Sequence, residues 1–264
     1  MTTRQGSKQR IIAIALLACA IALICGAVWW TNRPATPAAT SSASAMPSAT
    51  AMQQSPQATV APTAQSSFAP TVTDEQGLSI IHAQQHRDPS DARAKGSVDA
   101  PVVMVLYSDF SCPYCTRLAK QVEPQLEDLV ANGTLRIEWR DLAQISQSSP
   151  LAAQAGIAAA NQGRFWEFVA AAYGEADPSG HPEYTMDSLT ALAQKAGVSD
   201  LDKFRADTTD ANTAAQVKQA QNDAYQIGIQ GTPFMFIGDS FISGYRDADY
   251  IRATIANQAE HLKK

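Results

Sequence analysis

The sequence predicts an α/β domain: a sheet of about four strands interrupted by a block of helices, behind one transmembrane helix and a disordered linker. Three observations carry this. An apolar run at 101–107 is followed by a helical pattern and then by a second strand. Residues from about 150 to 227 are Ala-rich and helical throughout. Residues 1–73 contain no Asp or Glu and four basic residues, Arg4, Lys8, Arg10 and Arg33. The formal charge of −5 over 264 residues therefore divides unevenly, because the rest of the chain holds 16 Lys and Arg against 25 Asp and Glu, a net −9. Such an acidic body excludes a module held to nucleic acid by phosphate contacts. Four cysteines are too few for a disulfide framework.

Residues 11–30 (IIAIALLACAIALICGAVWW) carry no charge. At about 1.5 Å per residue they match a hydrocarbon core of about 30 Å, so they are expected to span the membrane once. Arg4, Lys8 and Arg10 precede the run, which places residues 1–10 in the cytoplasm and the rest of the chain outside. A cleaved signal peptide is the rival, but its apolar region is usually about 7–15 residues long. Lipidation at Cys19 is a third option, weakened by the eleven apolar residues that follow it. Residues 31–73 are an uncharged, largely Ala, Ser, Thr, Pro and Gln segment apart from Arg33, and are read as a disordered linker because they cannot bury enough apolar surface to order themselves.

The globular part is expected from about residue 74 to 264. Pro101 to Tyr107 (PVVMVLY) reads as a strand covered on both faces. Ser111 to about Val130 reads as a helix with Leu118, Val122, Leu126 and Leu129 on one face, kinked at Pro124. Leu135, Ile137 and Trp139 alternate with Arg136, Glu138 and Arg140, the period of a strand. The helical insertion covers about 143–227, with Gly228 as its stop signal. Phe234 to Ile237, a Gly238-Asp239 turn and Phe241 to Ser243 form a hairpin, and a last helix runs from about Asp247 to His261.

The chemistry concentrates at Cys112-Pro113-Tyr114-Cys115, on a strand-to-helix junction. Positions i and i+3 of a first helical turn lie about 5–6 Å apart, which suits a disulfide. Cys112 falls at the helix N-terminus, where free N–H groups and the helix dipole stabilise a thiolate. Pro113 fits the first helical position, where its missing N–H costs nothing. A purely structural disulfide is a poor alternative, because so short a loop barely constrains the unfolded chain. A zinc site would need two further ligands; His82 and His86 stand at i, i+4 spacing, but they read as a solvated helix face, and no second Cys or His pair follows downstream.

Gly231-Thr232-Pro233 directly precedes an apolar strand, a place where proline suits a turn or a cis bond. With this motif the chain resembles the thioredoxin superfamily, in its DsbA-like extracytoplasmic branch with an inserted α-helical domain. The resemblance is carried by Gly96 to Pro101, Tyr107 to Cys115, Arg140 to Leu142, Gly163 to Phe168, Gly228 to Ile237 and Ile242 to Gly244, nearly all of the soluble part. It implies a thioredoxin fold, an exposed nucleophilic Cys112, a more buried resolving Cys115, and a cis-proline loop at Thr232-Pro233 that binds the substrate backbone like an added strand. Phe165 and Trp166 match aromatic positions of the insert and are read as packing residues. Where many relatives carry a buried acid six residues before the first cysteine, this chain has Leu106; Asp109 is nearer the motif but is expected to face elsewhere.

The activity so implied is thiol–disulfide oxidoreduction that introduces disulfides into exported proteins through Cys112 and Cys115. No cofactor is expected beyond that redox-active disulfide. The expected partners are reduced exported polypeptides and a quinone-linked membrane reoxidase. Two alternatives are an extracytoplasmic reductase or isomerase, and a non-enzymatic tethered peptide-binding or chaperone module.

Overall fold

The computed structural model describes residues 66–262. The transmembrane helix expected at residues 11–30 and linker residues 31–65 lie outside them, and no helix among the described residues is long and apolar enough to cross a membrane.

Helix α1 spans Glu75–Gln84 and is capped by Asp74, whose carboxylate accepts from Gly77 N at 2.7 Å. A two-residue strand β1 (Ala94–Lys95) leads into β2 (Val102–Ser108). Helix α2 is Pro113–Gln121, followed by a 3₁₀ turn at Glu123–Leu126 and a short α3 at Glu127–Ala131. The single helix expected from Ser111 to Val130 is thus broken around Pro124, because proline removes an N–H and crowds the carbonyl four residues back. Strand β3 is Leu135–Asp141. Five helices follow: α4 (Ser149–Ala160), α5 (Phe165–Glu175), α6 (Met186–Lys195), α7 (Leu201–Thr208) and α8 (Ala211–Gln226). The hairpin is β4 (Phe234–Ile237) and β5 (Ser240–Ser243), and α9 is Ala248–His261. Its two-residue turn needs Gly238 at φ 55°, and a Cβ there would come within 2.8 Å of Gln258 Oε1.

The sheet has the order β1-β3-β2-β4-β5. Strands β2 and β3 are parallel, from Val102 opposite Leu135 to Ser108 opposite Asp141. Strand β4 runs antiparallel to β2, with Leu106 opposite Met235 and Tyr107 opposite Phe234. All seven residues of β2 are buried, as the continuous apolar run implied. On one face Met104, Leu106, Trp139 and Met235 pack with α2, α5 and α9; on the other Val103, Val105, Tyr107 and Phe236 meet Ile81 of α1 and Ala224 of α8.

Two features differ from the expectation. The ordered domain begins before residue 74: Ala69 is buried, its N–H donates to Thr254 Oγ1 at 3.0 Å, and Val72 N donates to Asp239 O at 2.8 Å. This segment lies along the outer strand β5, where Thr71 bridges Ser240 and occupies backbone groups an edge would leave open. The polar positions of β3 do not face water either. Arg136 and Glu138 are buried under residues 86–96: Glu138 accepts from His86 N and Arg87 N, while Arg136 donates to Asp88 O and Gly96 O. The alternation marks two different linings, one apolar and one ionic, rather than inside and outside.

Candidate active site

Strand β2 ends at Ser108, and the turn Asp109–Ser111 delivers the chain to α2 with Cys112 N donating to Asp109 O at 3.0 Å. Cys112 is the N-cap and Pro113 the first helical residue. The turn is tied by Asp109, whose buried carboxylate accepts from Ser111 N, Gln144 N, Ile145 N and Ser149 Oγ, all between 2.7 and 2.8 Å. Asp109 therefore anchors the loop before the cysteines to the start of the helical insert, a role that sequence spacing does not reveal because two of its partners are backbone N–H groups about 35 residues away.

Cys112 and Cys115 are both free thiols. The resemblance implied an exposed Cys112, but only 2% of its surface is open, against 1% for Cys115. The cover comes from the opposite loop: Cys112 Sγ donates to Thr232 O at 3.4 Å across the sheet end, and the Thr232–Pro233 peptide is cis. Tyr114, by contrast, projects outward at 54% exposure.

The two thiols are pushed apart in acidity. Cys112 falls from 9.0 to about 6, first because the Cys115 thiol donates to its sulfur; burial opposes the fall, and hydrogen bonding by Thr232 and by the Cys115 and Tyr114 backbone supports it. Burial pushes Cys115 well above the ordinary thiol value, and its hydrogen bond to Cys112 and that neighbour's charge add to the rise. Hydrogen bonding from the Ser108 side chain and the Asp109 backbone works the other way. One thiol is prepared as a thiolate and the other is kept protonated.

A titration checks this directly. The thiolate absorbance of the reduced protein is expected to rise with a midpoint about 6; a midpoint near 9.0 would contradict the hydrogen-bonded geometry. The lowered value also sets the pH dependence. The reduced form carries the full stabilisation above the unfolded thiol value of 9.0 and loses it as pH falls through about 6.

Leu106 is fully buried in the apolar core beneath the pair, so no acid stands at that position. Phe165 is buried edge-on against Trp139 at 5.4 Å, while Trp166 is half-buried beneath the Lys95 ammonium at 4.5 Å. His82 Nε2 donates to the Asp239 carboxylate at 2.7 Å, and His86 lies beyond the end of α1, so the two do not share a helix face. No group of three or more His, Cys, Asp or Glu among the described residues is arranged to hold a metal.

A thioredoxin family model matches residues 89–257, which is well over half of the chain. Among curated relatives, "Disulfide bond formation protein D" of Bacillus subtilis is 25% identical over 167 residues, covering 62% of this chain and 75% of that protein. "Na(+)/H(+) antiporter NhaA 1" of Salinispora arenicola is 30% identical over 184 residues, and the chain spans only 26% of its length. Among solved structures, BdbD from Bacillus subtilis in its oxidised form superposes with a TM-score of 0.59 at 22% identity, covering 73% of this chain and 99% of that one. The catalytic domain of Proteus mirabilis ScsC gives 0.57 at 21%, covering 70% and 98%. With a Cys-x-x-C pair on a helix N-terminus, a cis-proline opposite it and a helical insert between β3 and β4, the chain belongs to the thioredoxin family.

Proposed function

We infer that the protein works in the oxidising direction, introducing disulfide bonds into exported polypeptides from a domain tethered outside the cell membrane by residues 11–30. The observation that carries this reading is the placement of Cys112 at the N-terminus of α2 against the Thr232–Pro233 loop, where hydrogen bonding by Cys115 and Thr232 lowers its pKa. Stabilising its thiolate stabilises the reduced form, and that makes the disulfide form a stronger oxidant. A substrate thiolate attacks Cys112 Sγ, the Cys112–Cys115 bond breaks, and its electron pair passes to Cys115, which takes up a proton. A second substrate thiolate then attacks the substrate's own sulfur in the mixed disulfide and expels the Cys112 thiolate. The substrate gains one disulfide and loses two electrons and two protons; the protein becomes the dithiol.

Thr232 and Pro233 are assigned to holding the substrate backbone, which the position of Thr232 O over Cys112 supports. The Cys112–Cys115 disulfide is the only redox group this chemistry requires. A quinone-linked membrane protein would restore it, and an oxidising compartment would let the product disulfides persist. The test is the reduction potential of the pair. A value near the roughly −120 mV of a strong disulfide donor is expected, whereas one near about −270 mV, the thioredoxin range, would overturn the oxidising direction and favour a reductase.

A further inference from the structure

Arg117 differs from the other charged groups near the thiol pair because no acceptor among the described residues receives its N–H groups. It lies on α2 three residues after Tyr114 of the Cys112–Cys115 motif, so the two share a helix face. Its guanidinium carbon lies over the Tyr114 ring at 5.4 Å and over the Tyr245 ring at 5.6 Å, both within reach of a cation–π contact. The other arginines among the described residues pair with a carboxylate or donate to a carbonyl. The one exception is Arg246, which follows Tyr245 and lies over the Tyr250 ring at 5.2 Å.

The two rings that hold Arg117 come from the two sides of the active site. Tyr114 stands directly before Cys115 and is 54% exposed. Tyr245 follows Gly244, whose N–H donates to Pro233 O at 2.9 Å, so its position is fixed by the cis-proline loop. Its hydroxyl also donates to Gln121 Oε1 of α2 at 3.1 Å. Cys112 Sγ meets Thr232 O across the same junction. Arg117 is therefore placed where the cysteine helix meets the cis-proline hairpin, beside the course of a substrate strand added at Thr232–Pro233.

Stacking uses the flat faces of a guanidinium and leaves its N–H edges free, and those edges match a carboxylate in a bidentate pair. The rings also restrict the side chain beforehand, so less entropy is lost when it binds. In a chain whose residues from 74 onward carry a net −9, an unpaired cation at this place is a local exception that favours acidic over basic substrate segments. We propose that Arg117 sets substrate preference by pairing with an acidic side chain next to the reacting cysteine, on the reading that Cys112 exchanges with polypeptide substrates.

The test mixes the full-length protein, oxidised at Cys112–Cys115, with reduced dithiol peptides that differ only in carrying Glu, Gln or Lys on one or the other side of the first cysteine. The rate of peptide oxidation is followed at low salt. Glu is expected to be favoured over Gln about fivefold on one side, the upper range for an ion pair at a surface. The preference should vanish in Arg117→Gln and turn towards Lys in Arg117→Glu. In the wild type it should fade at about 1 M salt, where the Debye length is about 3 Å. A flanking carboxylate also shifts the acidity of the peptide's own thiol, but equally for every variant, so the Glu-to-Gln ratio is compared between variants. Taking each ratio within one variant also cancels a partial loss of activity or folding. A ratio in Arg117→Gln equal to that of the wild type, or an Arg117→Glu variant that does not turn towards Lys, would overturn the assignment. The two readings separate: oxidation of these peptides by Cys112→Ser would overturn Cys112 as the nucleophile, whereas an inert Cys112→Ser beside a ratio indifferent to Arg117 overturns only the preference.

Discussion

Cys112→Ser is expected to abolish oxidation of a dithiol peptide, a loss on the order of 10³-fold or more, as when other catalytic nucleophiles are removed. The reason is that every step passes through one sulfur. The incoming thiolate bonds to Cys112, and the departing disulfide leaves from it; a serine oxygen cannot form the S–S bond. Cys115→Ser also prevents the disulfide from forming, but it keeps Cys112 available and is expected to accumulate a mixed disulfide with any activated disulfide substrate, visible by mass. The pair of variants also probes the acidity. Hydrogen bonding by the Cys115 side chain is the largest cause of the lowered Cys112 value. Cys115→Ser retains a donor and should keep most of that effect, whereas Cys115→Ala should move the Cys112 titration upward. Full peptide oxidation by Cys112→Ser would overturn the assignment of Cys112 as the nucleophile.

The largest loss of stability is expected far from the cysteines, at Glu138. This carboxylate is fully buried and accepts from Arg136 Nε at 2.9 Å, Arg140 at 2.9 Å, Arg87 N at 2.8 Å and His86 N at 3.0 Å. Glu138→Ala leaves two guanidinium groups and two backbone N–H groups facing a cavity, and breaking a buried ion network from one side costs about 3–5 kcal/mol. For a domain of this size, each kcal/mol lowers the melting temperature by about 2–4 °C, so a fall of roughly 10 °C is expected. Burial works against the Glu138 charge, but the hydrogen bonds and Arg140 outweigh it and hold the pKa below the ordinary 4.5. The network's contribution is therefore complete above the unfolded glutamate value and is lost as pH falls through the lower folded one. Calorimetry across pH 3 to 7 measures both effects. A melting temperature within a degree or two of wild type would mean that the segment 86–96 does not depend on this carboxylate.

Glu138 also shows where a sequence pattern stops being informative. The alternation of Leu135, Ile137 and Trp139 with charged residues identified a strand at once, because side chains two apart share a face. It could not say that the charged face would be roofed by residues 86–96, since the roof is formed by backbone N–H and carbonyl groups that any residue carries. The same limit applies at the start of the domain. Residues 66–73 have a linker's composition, yet Ala69 is buried and Val72 pairs with Asp239, because the outer strand of the sheet supplies hydrogen-bonding groups that composition does not register.

At the active site the division is sharper. Cys112, Pro113 and Cys115 were legible because their chemistry depends on spacing within one helical turn, and Thr232-Pro233 because a proline before an apolar run is rarely indifferent. Asp109 gave no such signal, because two of the groups its carboxylate binds are backbone N–H groups about 35 residues away.

By itself, then, the sequence determined what is local: the α/β order, a helix after the cysteines disturbed at Pro124, the hairpin and the thiol pair at a helix start. Those follow from periodicity, capping and backbone restriction over a few residues. Only the tertiary structure decided how acidic each thiol is and what covers Cys112. Those properties arise from burial and from partners separated by tens of residues, and no pattern along the chain specifies which of its distant segments will meet.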